Sequence, residues 1–215
     1  MHVPPPGSYD LTWRERVRLR NGRSATLRLL VPEDRELYLQ AFALLSPHAR
    51  YQRFFEPKGQ LTQAEVHYLV DVDQIHHFSI VAVVGRKHPH GVGLARCVEI
   101  PGQPNVAEPA VTVLDAWQGQ GLGRVLLRRM IEAARARGVE RFHVDVLADN
   151  TPMLNLMDEV GVQLLPAREH GVVTLDLPLP PPAPPRPPRR QRTPLERLLR
   201  LAAKGWLRVL ERKQA

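Results

Sequence analysis

Three glycines at alternate positions, in Gln118-Gly119-Gln120-Gly121-Leu122-Gly123, stand at the head of a run whose apolar residues recur at helical spacing. Glycine leaves backbone N–H groups uncovered by side chains, and such donors at a helix N-terminus, aided by its dipole, suit a diphosphate. Arg124 adds a nearby cation. The loop lacks the Gly-Lys-Ser/Thr ending by which a Walker loop sets a lysine on phosphates and a hydroxyl on magnesium. It also spans five positions from Gly119 to Gly123, where the dinucleotide pattern Gly-x-Gly-x-x-Gly needs six. Nucleotide hydrolysis and Rossmann-type redox chemistry are therefore disfavoured. A glycine turn that only lets a strand and a helix pack stays open at this point.

The other reactive residue types offer less. Cys97 is the only cysteine, which excludes an internal disulfide and a multi-cysteine metal site. Its setting, Gly93-Leu94-Ala95-Arg96-Cys97-Val98-Glu99-Ile100, reads as a strand in which the thiol is a small buried apolar group rather than a nucleophile. His76-His77 and His88-Pro89-His90 have no carboxylate or cysteine at a recognisable ligand spacing and read as loop histidines, so no metal is expected.

The elements that must hold the loop can be placed around it. Leu122, Val125, Leu126, Met130, Ala133 and Ala134 predict a helix ended by Gly138. A strand near 106–114 precedes the loop, and Arg141 to Leu147 alternates as a strand. Asn150 or Thr151 caps a further helix through about Val160, with Gly161 as its stop. Upstream, Val17 to Arg20 and Ala25 to Leu29 flank Asn21-Gly22, a hairpin signature because both residues tolerate positive φ. Pro32-Glu33-Asp34 opens a helix with Leu37, Phe42, Leu44 and Leu45 as its apolar contacts. Thr62 and Glu65 form a capping box for another. Strands near 78–84 and 92–100 follow, and Val172 to Leu177 closes the body. The sum is a mixed α/β domain with four helices and about seven strands.

The chain has 215 residues and a net charge of +8, enough for one core and an appendage. Residues 186–215 hold ten of the 30 Lys and Arg and two of the 22 Asp and Glu, so the body is neutral and the basic character lies in the tail. Residues 1–14 read as a flexible N-terminus without the apolar stretch of a secretory signal, and a cytoplasmic location is the expectation. Residues 15–178 form the domain and 179–193 a Pro-rich basic linker of polyproline type. Residues 194–213 read as a basic amphipathic helix, capped by Thr193 and carrying Trp206 in its apolar stripe. That stripe favours docking on the chain itself, a partner or an anionic membrane surface over nucleic-acid contact, and no sequence-specific nucleic acid is expected.

The stretch from Val111 to Leu127 resembles motif A of the GNAT family of N-acetyltransferases, whose pattern is Gln/Arg-x-x-Gly-x-Gly/Ala, matched here by Gln118, Gly121 and Gly123. Ser46 to Phe55, Ala107-Glu108 and Ala148 to Met153 extend the resemblance over roughly residues 15–178. They are similar to the Pat-like branch of bacterial protein lysine acetyltransferases, which modify acyl-CoA synthetases. The resemblance implies the GNAT fold, a mixed and mostly antiparallel sheet flanked by about four helices, with acetyl-CoA as co-substrate. The cyclic-nucleotide-binding or CoA-ligase-like regions often fused to that branch do not fit in this chain.

By resemblance, the backbone of Val111 and Val113 would pair with the pantetheine arm, and Gln118, Gly119, Gln120, Gly121, Gly123 and Arg124 would hold the pyrophosphate. Asn150 would approach the arm from the neighbouring strand end. Glu108 matches the acidic residue that serves the Pat-like enzymes as general base. Its neighbour Pro109, where an aliphatic residue is more usual, removes a ladder N–H unless the strand is bulged or irregular there. Tyr51, Arg53 and Phe55 are candidate acceptor contacts. The helix after Asn150 lacks the tyrosine that many relatives use as general acid, and the four tyrosines, Tyr9, Tyr38, Tyr51 and Tyr68, all lie earlier. Acetyl transfer to a protein lysine is the leading expectation. A small-molecule amine acetyltransferase and a CoA-binding regulatory module without turnover are its alternatives.

Overall fold

The computed structural model describes residues 9–159, 167–169 and 171–179. The chain divides into two units, residues 1–180 and 181–215. The expected linker beyond Leu179, the basic helix 194–213 and the helix stop at Gly161 lie outside the described residues.

A single eight-stranded sheet runs in the order β1-β2-β3-β4-β5-β6-β8-β7. Its strands are β1 Arg14–Arg18, β2 Ser24–Leu29, β3 His77–Val84, β4 His90–Glu99, β5 Val106–Val113, β6 Arg141–Leu147, β7 Ala167–Glu169 and β8 Val172–Pro178. All neighbours pair antiparallel except β5 and β6, which are parallel. Five α-helices are described: α1 Arg35–Ala43, α2 Pro47–Phe54, α3 Gln63–Val70, α4 Leu122–Ala136 and α5 Thr151–Glu159.

β3 reads His-Phe-Ser-Ile-Val-Ala-Val-Val and is buried along nearly its whole length because both its faces are covered. Phe78, Ile80 and Ala82 join the main core, which α4 closes with Leu122, Leu126, Leu127 and Met130. Val81 and Val83 face the other way, into a smaller cluster with Leu30 and Leu37 of the α1 side. Gly93 on β4 lets α4 settle close: a Cβ there would stand 3.0 Å from Leu126 Cδ1.

The turn between β1 and β2 is not a two-residue loop with both residues left-handed. Only Gly22 has positive φ, at 83°, and the strands stop at Arg18 and Ser24, as in a longer hairpin closed by a type I turn and a glycine bulge. Leu44, expected as a core contact of α1, is 67% exposed, because the helix ends at Ala43 and the chain turns there. The helix starting at Pro32 begins as a 3-10 turn over Pro32–Asp34, with α1 proper from Arg35. Within the segment 1–14 expected to be flexible, Tyr9 is buried: it donates its hydroxyl to Glu132 of α4 at 2.5 Å and its ring lies 4.7 Å from that of Trp13, tilted by 55°, while Asp10, Leu11 and Thr12 are exposed. The capping box of α3 is present, with Glu65 N donating to Thr62 Oγ1 at 3.2 Å and Thr62 N to Glu65 Oε2 at 2.7 Å. None of the described helices is long and apolar enough to cross a membrane.

Leu126, fully buried between α4 and β4, tests this core. Leu126→Ala should lower unfolding stability by about 2–5 kcal/mol in urea titration, through lost burial and a residual cavity.

Candidate active site

β5 and β6 pair only at Val106–Arg141 and Ala107–Phe142. Beyond Ala107 the two strands part. β4 and β5 stay in unbroken register from Gly93–Val113 to Glu99–Ala107. At the two ends of this ladder Ile100 N donates to Val106 O at 2.9 Å and Leu114 N to Val92 O at 3.1 Å. Antiparallel ladders alternate, so the even-numbered residues of β5 bond to β4 and the odd-numbered ones turn their N–H and C=O toward β6. The peptide groups of Val111 and Val113 therefore face the opening. Gln118 Nε2 donates to Val113 O at 3.0 Å, which agrees with that direction.

The same alternation resolves Pro109. It sits opposite Cys97, with its nitrogen turned away from β4 and into the opening, so the ladder loses no bond. Neither a bulge nor an irregular strand is needed.

The opening is the mouth of a cavity of about 470 Å³. At one end stands the glycine loop. Gly119 and Gly121 have φ of 68° and 88°, a left-handed conformation that makes glycine the residue of choice. Gly123 is different: a Cβ there would touch Leu156 at 3.5 Å and Val113 at 3.8 Å, ordinary contacts that leave room for alanine. The first N–H groups of α4 have no intrahelical partner, and they lie where the loop delivers them to the cavity. Arg124 lines the cavity too, with its Nε donating to Glu159 Oε2 at 2.7 Å. Asn150 lines it from the end of β6 while its Oδ1 accepts from Met153 N at 3.2 Å, so Asn150 rather than Thr151 caps α5.

At the other end of β5, Glu108 is exposed and lines the cavity. Asp145 on β6 lines it as well and accepts a bond from Thr174 Oγ1 at 2.6 Å. α2 forms a further wall. Its start is fixed by Ser46, whose hydroxyl donates to Asp115 Oδ1 at 2.9 Å and whose Oγ accepts from Ala49 N at 3.2 Å. Ala49, Gln52 and Arg53, spaced as one helix face, line the cavity together with Phe55, the left-handed residue that ends the helix.

Two of the expected residues are not brought in. Tyr51 is two positions from Arg53 and Ala49, hence off the lining face, and is exposed to solvent. The Gln120 side chain turns to the hairpin, accepting from Asn21 Nδ2 at 2.6 Å and donating to Ala116 O at 3.1 Å. Asp145 and Arg20 are among the lining residues that the sequence did not point to. Asp145 has no local signature beyond an outward strand position. Arg20 comes from the β1–β2 hairpin, far away in sequence, and its side chain lies over Gly121.

The remaining reactive groups lie elsewhere. Cys97 is 1% exposed and burial pushes its thiol up to about 12, which keeps it unreactive at neutral pH. His76 bonds Glu99 and is raised by that hydrogen bond. His77 is pushed down to about 4 by burial and by the Arg96 guanidinium, which donates to its Nε2 at 3.0 Å. Among the described residues no group of three His, Cys, Asp or Glu stands together as a metal site would require.

The acetyltransferase (GNAT) family model matches residues 34–162. The chain belongs to the GNAT acetyltransferase family. It is 34% identical over 165 residues to the acetyltransferase Pat of Mycolicibacterium smegmatis, an overlap covering 77% of this chain and 49% of that protein. It is 35% identical over 150 residues to the acetyltransferase PA5475 of Pseudomonas aeruginosa, covering 66% and 77% respectively. The chain thus spans about half the length of the mycobacterial relative. Its fold superposes on the crystal structure of the GNAT domain of S. lividans PAT with a TM-score of 0.73 at 28% identity, over 80% of this chain and all of that one.

None of Tyr9, Tyr38, Tyr51 and Tyr68 lines the GNAT cavity. Replacing each with Phe should lower kcat by less than about 100-fold, since no phenol is placed to protonate a leaving group. Steady-state kinetics of the four variants check this.

Proposed function

We propose that this GNAT domain moves an acetyl group from acetyl-CoA to an amine, a protein lysine in the leading case, by direct attack with Glu108 as general base. The observation that carries the proposal is one cavity reaching from the glycine loop, along the outward peptide groups of Val111 and Val113, to the carboxylate of Glu108. The residues suit acetyl-CoA at each point. Loop and helix N–H groups at Gly119, Gly121 and Gly123 meet the diphosphate, Gln118 braces the loop with its N–H on Asp115 O at 3.2 Å and its side chain on Val113 O, and Arg124 reaches the diphosphate by exchanging its partner Glu159. Gln120 would contribute only its backbone. The β5 edge takes the place of a strand partner for the pantetheine amides, and the Asn150 amide retains its donors for the arm.

A lysine arrives as an ammonium at neutral pH and must shed a proton before its nitrogen can attack. Glu108 accepts it, directly or through water, and passes it to solvent. As the N–C bond forms and the C–S bond breaks, the amide nitrogen gives up a second proton, and the thiolate ends as CoA thiol. A thiol with an ordinary pKa of about 8.5 is acidic enough to leave without an enzymic acid. No covalent enzyme intermediate is needed, which agrees with the burial of Cys97. Of the three carboxylates lining the cavity, Glu159 is paired with Arg124, and the other two, Glu108 and Asp145, support a cationic acceptor. The lysine reading, with an acyl-CoA synthetase as the first protein to try, rests on similarity to Pat.

The test is acetyl-CoA consumption with a panel of acyl-CoA synthetases and simple amines. Glu108→Gln should reduce kcat about 100-fold or more at neutral pH while CoA affinity stays within about threefold. Turnover with amines alone would favour the small-molecule acetyltransferase. Tight CoA binding with no turnover on any acceptor would leave a regulatory CoA-binding module.

A further inference from the structure

The tip of the β1–β2 hairpin is fastened to the glycine loop. Arg20 N donates to Gln120 O at 3.1 Å, Asn21 Nδ2 donates to Gln120 Oε1 at 2.6 Å, and the Arg23 guanidinium lies 3.5 Å from the centre of the Trp117 ring. These contacts hold the Arg20 side chain over Gly121, where its Nε would stand 3.8 Å from a Cβ on that glycine. Arg20 also lines the cavity.

Three arginines line that cavity. Arg53 belongs to the α2 wall beside Phe54, and Arg124 is engaged by Glu159. Arg20 alone stands at the loop without a carboxylate or any side-chain hydrogen bond among the described residues. The family pattern admits arginine at the position of Gln118, and here that side chain is uncharged and braces Val113 O. The loop itself therefore brings no free cation. A guanidinium is suited to the task, because its planar fork can bridge two phosphate oxygens.

On this basis we propose that Arg20 is a cofactor-binding residue that clamps the diphosphate of the acyl-CoA, and that the hairpin tip is part of the cofactor site. The assignment rests on the acyl-CoA reading above and adds to it a cation that need not leave a carboxylate first, as Arg124 must leave Glu159. Gln120 acquires a role in it: its carbonyl and side chain fix the hairpin, and the hairpin delivers the charge.

The experiment compares full-chain wild type, Arg20→Gln and Arg20→Lys by calorimetry with CoA and dephospho-CoA, and by turnover with acetyl-CoA and with S-acetylpantetheine, which has no diphosphate. Arg20→Gln should weaken CoA binding tenfold or more and flatten its salt dependence, with part of the loss restored in Arg20→Lys. The loss should be the same for dephospho-CoA, and S-acetylpantetheine turnover should stay within about twofold of wild type. Unchanged CoA affinity in Arg20→Gln overturns the assignment. So does a penalty that vanishes with dephospho-CoA, which would move the contact to the 3′-phosphate, or an equal loss with S-acetylpantetheine, which would make Arg20 structural. A wild-type chain that binds no CoA overturns the acyl-CoA reading itself.

Discussion

Beyond Ala107 the peptide groups of β5 that face β6 have no strand to bond to, and backbone N–H and C=O groups do not stay unpaired without cost. Much of the site follows from that one parting of strands. It opens the cavity, exposes the edge of Val111 and Val113, and leaves the glycine loop and the start of α4 at its end. Gln118 ties off one of the exposed carbonyls, Val113 O, and in doing so fixes where the edge stops and the loop begins. The parting also makes Pro109 harmless, because its missing N–H falls on the side where no ladder exists.

The surrounding elements hold this edge rigid from both sides. α4 presses Leu122 and Leu126 against Gly93 on β4, so the strand beside the edge cannot shift without opening the main core. Ser46 bonds Asp115 in the turn after β5, which couples the α2 wall to the start of the loop. The hairpin tip adds a third brace through Gln120 and Trp117. Binding groups held this way need little reordering when a ligand arrives, which is the general route to positioning a reacting thioester.

Features encoded over a few consecutive residues were legible in the sequence. The glycine loop with its strand and helix, the Thr62 and Glu65 capping box and the buried character of Cys97 all depend on neighbours in the chain. What was not legible depends on contacts between distant segments. α2 was read as a motif and not as a helix of its own, since its eight residues carry only one buried side chain, Ala49. Three-residue β7 is too short for any periodicity. Arg20 carries no local signature, because its place depends on the hairpin tip being fastened to a loop some hundred positions later. Tyr51 was drawn in by resemblance, and the helical offset from Ala49 and Arg53 removes it. Pro109 looked awkward because sequence does not tell which side of a strand a nitrogen faces.

The central claim is that the parted edge of β5 receives an acyl-CoA arm as a strand would. Amide hydrogen exchange of the full chain, read residue by residue with and without saturating acetyl-CoA, tests it most directly. The Val111 and Val113 amides should become protected together with those of Gly119 to Gly123, while the amides of Ala110 and Thr112, already bonded to β4, change little. Protection of the loop with no change at Val111 and Val113, or no protection anywhere in the cavity, would contradict the account.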